Sequence, residues 1–156
     1  MRIQQCGVVV IALLTGLFVA HTATAALTLT ENGEIPIANG TNVLAAMAIN
    51  DSPGSSDLTL IIQIEIGGDI VLDEDHECFA IMPTENIPDD GDPAGWTAPN
   101  FDDGDWDKGE YGIGYGDGDD NFDIGDGSHA AVYSRAYFDV SGTGGVVSLI
   151  LGADYD

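Results

Sequence analysis

Residues 114–127, GYGDGDDNFDIGDG, concentrate oxygen ligands in a short glycine-rich segment. Hard cations such as Ca²⁺ prefer oxygen and take about six to eight ligands. Carboxylate and amide side chains could supply several of these, with backbone carbonyls completing the set, so Ca²⁺ is the candidate cofactor. The candidate ligands are Asp117, Asp119, Asp120, Asn121, Asp123 and Asp126.

The spacing of these residues matches neither the EF-hand nor the glycine-rich calcium solenoid. If Asp117 began an EF-hand loop, Phe122 would occupy the position that requires the turn glycine. Calcium-binding solenoids repeat their glycine-rich motif, whereas this segment occurs once. The alternative is an acidic, solvated loop that binds no ion selectively, and the sequence leaves both interpretations open.

Aromatic side chains around the same segment form a second candidate site. Trp96, Trp106 and Tyr115 are the candidate ligand-binding residues, because aromatic rings offer large apolar faces on which a sugar ring can stack. Trp96 is favoured, since it lies in PAGWTAP, where two prolines stiffen the loop. The alternative is that Phe101, Trp106 and Tyr115 bury their rings and anchor a long Gly/Asp-rich connection.

No other arrangement in the sequence specifies a reaction. Residues 73–78, DEDHEC, place His76 and Cys78 among carboxylates, and the remaining histidine outside the N-terminal segment is His129. A transition-metal site would need ligands converging from elsewhere, so a charged turn leading into a buried Cys78 is favoured. Neither a carboxylate pair nor a nucleophile–base arrangement stands out, and we predict that the protein is not an enzyme.

The N-terminal residues 1–25 have the pattern of a secretory signal peptide. Arg2 precedes an apolar run over residues 8–20, and Ala23-Thr24-Ala25 gives the small-residue pattern that signal peptidase recognises. The apolar run is shorter than the roughly 20 residues that a membrane span needs. We therefore expect cleavage after Ala25, a secreted or cell-surface location, and no membrane insertion of the mature chain.

The charge of the chain restricts its partners. The sequence has 27 acidic residues, and only Lys108 and Arg135 are basic beyond the leader. The negative electrostatic field of such a chain repels nucleic acids and anionic membranes and attracts cations. Only Cys78 remains after cleavage, so no intrachain disulfide can form and stability must come from apolar burial.

Two segments show the period-two pattern of half-buried strands. Residues 58–66, LTLIIQIEI, alternate aliphatic with polar residues. Ile61 is the exception, because it places an aliphatic side chain on the polar face, and it predicts that this outer face is partly covered there. Residues 131–140, AVYSRAYFDV, alternate in the same way, and Arg135 is expected to pair with Asp139 or another carboxylate. One face of this second strand carries Val132, Ser134, Ala136, Phe138 and Val140, and the other carries Tyr133, Arg135 and Tyr137.

Weaker patterns indicate further strands and no amphipathic helix in the mature chain. Residues 42–49 predict a strand, with a helix as the main competitor because leucine, alanine and methionine favour helix. Short strands are predicted at 70–72 and 78–82, and a last one in GVVSLILGADYD. A Gly/Asp-rich loop is expected over about 89–128. The predicted class is all-β, a β-sandwich or jelly roll.

An ordered series of elements then suggests a family. The series consists of Trp96, Phe101-Asp102-Asp103, Trp106, Gly114-Tyr115-Gly116-Asp117, Tyr133, Arg135, Phe138 and Asp154-Tyr155-Asp156. Residues 95–156 thereby resemble the N-terminal half of a galactose-binding-like jelly-roll module of large secreted bacterial proteins. Residues 39–66, with NGTNVLAAMAINDSPGSSDLTL, resemble the closing strands of such a module. In this chain the segment that resembles the end of a module therefore precedes the segment that resembles its beginning.

This reversal divides the chain after the leader into 26–68, which resembles a module end, and 69–156, which resembles a module beginning. An incomplete or rearranged gene fragment is favoured over two halves that pack together in permuted order. The resemblance implies a secreted, non-catalytic accessory module that binds carbohydrate. The alternatives are a structural or cell-surface interaction module stabilised by Ca²⁺, or a truncated fragment whose open edges need partner strands or domains.

Overall fold

A computed structural model describes residues 7–15, 37, 39–49, 58–84, 94–116, 118, 120–125, 131–141 and 147–154. For residues 7–15 and 147–154 the description concerns the backbone only. Within these ranges the chain consists of strands and one short 3₁₀ helix, and no helix there is long and apolar enough to cross a membrane. The predicted all-β class is confirmed.

The strands follow one another along the chain with short connections in several places. They are β1 (Gly7–Thr15), β2 (Gly40–Ile49), β3 (Leu58–Ile66), β4 (Asp69–Leu72), β5 (Glu77–Ile81), β6 (Asp107–Glu110), β7 (Ile113–Tyr115), β8 (Phe122–Asp123), β9 (Ala131–Val140) and β10 (Val147–Asp154), with the 3₁₀ helix Gly95–Thr97 between β5 and β6.

Two sheets form a sandwich. The first sheet has the order β1-β2-β9-β5-β6, and the second has the order β10-β3-β7-β8. Strand β4 pairs with β3 at Ile64–Ile66, next to the stretch Leu58–Leu60 where β7 pairs with β3. All these pairs are antiparallel except that of β7 with β8. The β-sandwich prediction is confirmed at this level.

The core between the sheets follows the predicted alternation. In β3 the side chains of Leu58, Leu60, Ile62 and Ile64 are buried, whereas Ile61 on the outer face is 37 % exposed. In β9 the predicted inner face faces the same core through Val132, Ala136 and Phe138. Period-two burial of branched residues is what a sheet with one covered face produces.

Residues 40–49 form a strand, so the helical alternative for 42–49 is wrong. Every residue from Gly40 to Ile49 pairs with a residue of β9. Leu44, Ala46 and Ala48 reach the central core, while Ala45 lies on the opposite face. The pairing of ten residues with β9 stabilises the strand by more than the helix propensity of these residues, a few tenths of a kcal/mol each, favours a helix.

The loop predicted over about 89–128 contains three short strands that the sequence analysis missed. β6 extends the first sheet beyond β5, and β7 and β8 extend the second sheet beyond β3. These strands have two to four residues, too short for a periodic pattern. The strand predicted at 70–72 is observed as β4, Asp69–Leu72. The strand predicted at 78–82 is observed as β5, Glu77–Ile81.

The two parts that the sequence analysis separated contribute to the same sheets. β2 pairs with β9 along its length, and β3 pairs with β7. Strands from residues 26–68 and from residues 69–156 therefore share both sheets. The incomplete or rearranged gene fragment that the sequence analysis favoured stays a prediction.

Strand β1 lies within the predicted signal peptide. Its backbone pairs with β2 from Gly7 opposite Ile49 to Thr15 opposite Asn42, with an irregularity between Val10 and Leu13. The remaining leader residues, including the predicted cleavage site, lie outside the described residues. The full chain thus places an apolar part of the leader along the edge of the first sheet, and cleavage after Ala25 stays a prediction.

Replacement of Gly114 by alanine is predicted to destabilise the sandwich. A Cβ atom at Gly114 would lie 1.9 Å from the carbonyl oxygen of Leu58 and 2.1 Å from Oδ1 of Asp120. The clash with a paired backbone forces β7 away from β3, so the free energy of unfolding should fall by about 2 kcal/mol or more. Urea denaturation followed by tryptophan fluorescence measures this loss.

Gly104→Ala is the matched control for Gly114→Ala. At Gly104 the nearest atom to a new Cβ is Oδ1 of Asp102 at 3.1 Å, at the end of a mobile side chain. The free energy of unfolding should change by no more than about 0.5 kcal/mol. Equal losses in the two variants would contradict the tight approach of β7 to β3.

Candidate functional site

The aromatic part of the predicted loop covers the outer face of the first sheet. Trp96 and Trp106 form a buried cluster with Ala45 of β2, separate from the core between the sheets. Around them pack the partly buried side chains of Met47, Phe79, Ile81, Phe101 and Tyr133. We call this set the loop cluster. It adds a third layer to the sandwich and is the candidate site defined by the aromatic residues.

Two tight turns position the indoles of the loop cluster. The backbone N–H of Thr97 donates to the carbonyl of Ala94 at 2.9 Å, and the Thr97 hydroxyl donates to the same oxygen at 2.7 Å. Further along, the N–H of Trp106 donates to the carbonyl of Asp103 at 3.0 Å. These local bonds satisfy backbone groups in a segment without strand pairing, so the loop can lie against the sheet.

The rings contact one another in stacked and edge-on geometries. Trp96 stacks on Tyr133 of β9, with ring centroids 4.7 Å apart and planes inclined by 27°. Trp106 lies 6.3 Å from Trp96 and 5.7 Å from Phe101, measured between ring centroids. Aromatic pairs of this kind each contribute about 0.5–1.5 kcal/mol beyond the area they bury.

Arg135 connects the loop to the sheet. Its side chain is fully buried, and its Nε donates to Oδ2 of Asp103 at 2.7 Å. One terminal nitrogen donates to the Trp96 carbonyl, and the other donates to the Tyr137 hydroxyl at 3.1 Å. The Tyr137 hydroxyl in turn donates to Oδ2 of Asp103 at 2.7 Å, and the guanidinium lies 5.4 Å from the Phe101 ring centroid.

The expected pairing of Arg135 with Asp139 is wrong, while pairing with another carboxylate is confirmed. Asp139 accepts a hydrogen bond from the Thr41 hydroxyl at 2.6 Å instead. Side chains four residues apart on one strand lie about 13 Å apart, too far for an ion pair. Arg135 is also buried, and its guanidinium makes several hydrogen bonds.

Trp96, Trp106 and Tyr115 have no face on which a sugar ring could stack. They are 1 %, 8 % and 2 % exposed, respectively. The two tryptophans belong to the loop cluster, and Tyr115 of β7 belongs to the core between the sheets. Their assignment as ligand-binding residues is therefore corrected. The burial of Trp106 and Tyr115 supports the alternative, in which they and Phe101 anchor the Gly/Asp-rich connection.

The candidate calcium ligands are only partly within the described residues. Asp117, Asp119 and Asp126 lie outside them. Oδ1 of Asp120 accepts a hydrogen bond from the hydroxyl of Thr59 at 2.8 Å, across the pairing of β3 with β7. This carboxylate holds the acidic segment against the second sheet.

Two other candidate ligands take part in local hydrogen bonds. The side-chain nitrogen of Asn121 donates to the carbonyl of Tyr111 at 2.9 Å, and Oδ1 of Asp123 accepts from the N–H of Gly125 at 3.0 Å. Within the described part of the chain, no three histidine, cysteine or acidic side chains converge as a metal site would require. The Ca²⁺ site of the sequence analysis stays a prediction.

His76 and Cys78 also have separate environments. Nε2 of His76 is hydrogen-bonded to the carbonyl of Tyr137 at 2.9 Å, whereas Cys78 points into the central core. Burial, together with the nearby carboxylates of Glu110 and Glu77, raises the pKa of the Cys78 thiol to about 12. The predicted buried Cys78 is confirmed, and such a thiol is a poor nucleophile at neutral pH.

Sequence reasoning missed Tyr111, which lies between β6 and β7. Its side chain is fully buried, and burial raises the pKa of its hydroxyl well above the usual value. This hydroxyl is the one buried side-chain polar group of the described residues without a hydrogen-bond partner. No periodic pattern surrounds Tyr111, so nothing in the sequence distinguished it from the exposed residues nearby.

Comparison with protein-family models, curated proteins and solved structures finds no match to this chain. The galactose-binding-like resemblance therefore stays a prediction, beside a β-sandwich that the structure itself establishes.

Replacement of Arg135 by methionine should destabilise the protein strongly. The variant keeps most of the apolar volume but leaves the Asp103 carboxylate, 11 % exposed, without its cation. Breaking a buried pair in this way costs about 3–5 kcal/mol. Urea unfolding followed by tryptophan fluorescence measures the loss, and it reports on the loop cluster because the two tryptophans of the chain both lie there.

Lys108→Met is the control for Arg135→Met. Lys108 pairs with Glu77 at 2.8 Å, but the two side chains are 57 % and 60 % exposed, so the loss should be at most about 1 kcal/mol. Removing both buried charges in Asp103→Leu/Arg135→Met should recover part of the lost stability. Losses of similar size in the two single variants would contradict the anchoring role of Arg135.

The stability of the protein should decrease at alkaline pH. The folded-state pKa of Cys78, about 12, lies above the unfolded value of 9.0, so its contribution is complete below pH 9 and is lost as pH rises toward 12. Burial raises the pKa of Tyr111 and Tyr137 as well, which acts in the same direction. Urea unfolding at a series of pH values measures this decline.

The variant Cys78→Ala isolates the thiol contribution. It should be less stable at neutral pH because of the cavity, yet lose less stability than the parent protein above pH 9. In the parent at pH 8, a thiol reagent should label Cys78 only as fast as the core opens. Immediate labelling of Cys78, identified by peptide mapping and distinguished from Cys6, would conflict with its burial.

Proposed function

We propose that this chain is an exported, non-catalytic β-sandwich module with a structural or interaction role at the cell surface or outside the cell. The observation that supports it is the anchoring of the loop by Arg135 and Asp103. The charged and aromatic side chains best suited to a binding or catalytic site are buried in contacts that fix this loop to the first sheet. Their arrangement holds the loop rigidly against the first sheet.

The charge distribution supports an interaction role with neutral or cationic partners. Lys108 pairs with Glu77 and Arg135 pairs with Asp103, so both basic residues beyond the leader are already neutralised by carboxylates. The other acidic residues of the chain give a surface field that disfavours nucleic acids and anionic membranes. Such a field also attracts cations, in keeping with the predicted Ca²⁺.

Glycan attachment is the more specific role that the family resemblance implies. The three aromatic residues expected to supply a stacking surface are buried. A glycan site would have to use other residues, and no contact described above favours one. The structural or interaction role is therefore preferred to the glycan-binding role.

Export is tested by expressing the full chain in a bacterial secretion host and measuring the mass of the exported protein. We expect a species that begins at Ala26, because the leader carries the apolar core and small-residue site that export and cleavage require. The variant Leu13→Arg, which places a charge in the apolar run, should accumulate uncleaved inside the cell. Export of both proteins with residues 1–25 intact would contradict the proposal.

The same exported protein distinguishes the two roles. It is passed over a panel of immobilised polysaccharides with Ca²⁺ and with EDTA. We expect no retention on any of them. Calcium-dependent retention on one polysaccharide would favour the glycan-binding module and locate its site outside the buried aromatic residues.

A further inference from the structure

The two edges of the first sheet have different chemistry. The β6 edge, DKGE, carries Asp107, Lys108 and Glu110, and charged side chains of this kind protect a sheet edge from pairing with another chain. Strand β2, GTNVLAAMAI, lies next to the opposite edge strand β1 and contains no charged residue and no proline. Without β1, protection by charge would be present at one edge of the sheet and absent at the other.

In the full chain, strand β1 covers the β2 edge. Its antiparallel pairing extends from Gly7 opposite Ile49 to Thr15 opposite Asn42. Because β1 lies within the predicted leader, its removal would leave the backbone groups along one side of β2 without their strand partner. The inference below rests on the proposed function in this respect, since it requires that the leader is removed.

The strand that occupies this edge in the full chain indicates what a replacement must be like. GVVVIALLT is an uncharged, mainly aliphatic segment that pairs antiparallel to β2. Among the described strands of the mature chain, only β2 and β7 lack a charged residue. Strand β7 already pairs with β3 on one side and β8 on the other. The uncharged strand that leader removal makes available is therefore β2 itself, in a second copy.

We propose that two processed chains pair through their β2 edges, antiparallel and around a two-fold axis. The two first sheets then become one continuous sheet with the strand order β6-β5-β9-β2-β2-β9-β5-β6. A two-fold interface uses the same surface on both copies, which an antiparallel pair of identical strands satisfies. Because both copies are strongly acidic, salt screens their repulsion and strengthens the dimer.

The first test compares the processed chain from the export experiment with the full chain purified from the cytoplasm. Sedimentation velocity at about 5 and 100 μM, in 0.15 and 0.5 M NaCl, measures the mass in each case. The processed chain should be a dimer whose fraction rises with concentration and salt. In the full chain β1 occupies the edge of β2, so the dimer that pairs through β2 should not form.

A matched pair of variants locates the interface. Ile49 at the end of β2 and Ile61 of β3 are 36 % and 37 % exposed, and Ile61 lies on a strand paired on both sides. Ile49→Lys should raise the dimer dissociation constant at least about tenfold by placing a charge at the edge, with the thermal midpoint of the dilute, monomeric protein unchanged. Ile61→Lys, which makes the same change in charge, should leave dimerisation as it is.

Hydrogen exchange provides a second measurement. Peptides that contain residues 40–49 should gain protection when the processed chain dimerises, and peptides that contain residues 107–110 should not. A processed chain that stays monomeric, or a dimer that both lysine variants form equally well, would overturn the proposed pairing alone. An exported chain that retains residues 1–25 would instead contradict the proposed function.

Discussion

The buried pair of Arg135 and Asp103 is the interaction on which the arrangement of the loop depends. A guanidinium without exposure to solvent needs a carboxylate and further acceptors, and here Asp103, the Trp96 carbonyl and Tyr137 surround it. All the acceptors except Tyr137 belong to the loop. The charge on the sheet therefore cannot be satisfied unless the loop lies across it, and the two tryptophans of the loop take their positions with it.

The sandwich is stabilised on both faces of its first sheet. The inner face meets the aliphatic side chains of β3, and the outer face meets the loop cluster. Small residues make this possible, since Ala45 of β2 leaves room beneath the loop at the position paired with Arg135. On its other side the same strand pairs with β1, which lies within the predicted leader. One uncharged strand thus contributes to the core, the loop cluster and the proposed contact between copies.

The strongly periodic strands could be predicted from the sequence, and the site could not. Alternation in residues 58–66 and 131–140 predicted both strands and their buried faces, because every second side chain of a strand points to the same side. The three short strands of the loop carry no such period. Arg135 lies in a correctly predicted strand, yet its partner is 32 residues away in sequence and nothing local indicates Asp103.

By itself, the sequence determined the all-β class, the acidic character and the buried Cys78. Only the tertiary structure decided that Trp96, Trp106 and Tyr115 are buried and that residues 39–66 and 95–156 share their sheets. The physical reason is the range of the forces. Side-chain alternation and turn chemistry act between neighbours, whereas the burial of a ring or a charge depends on which distant segment covers it.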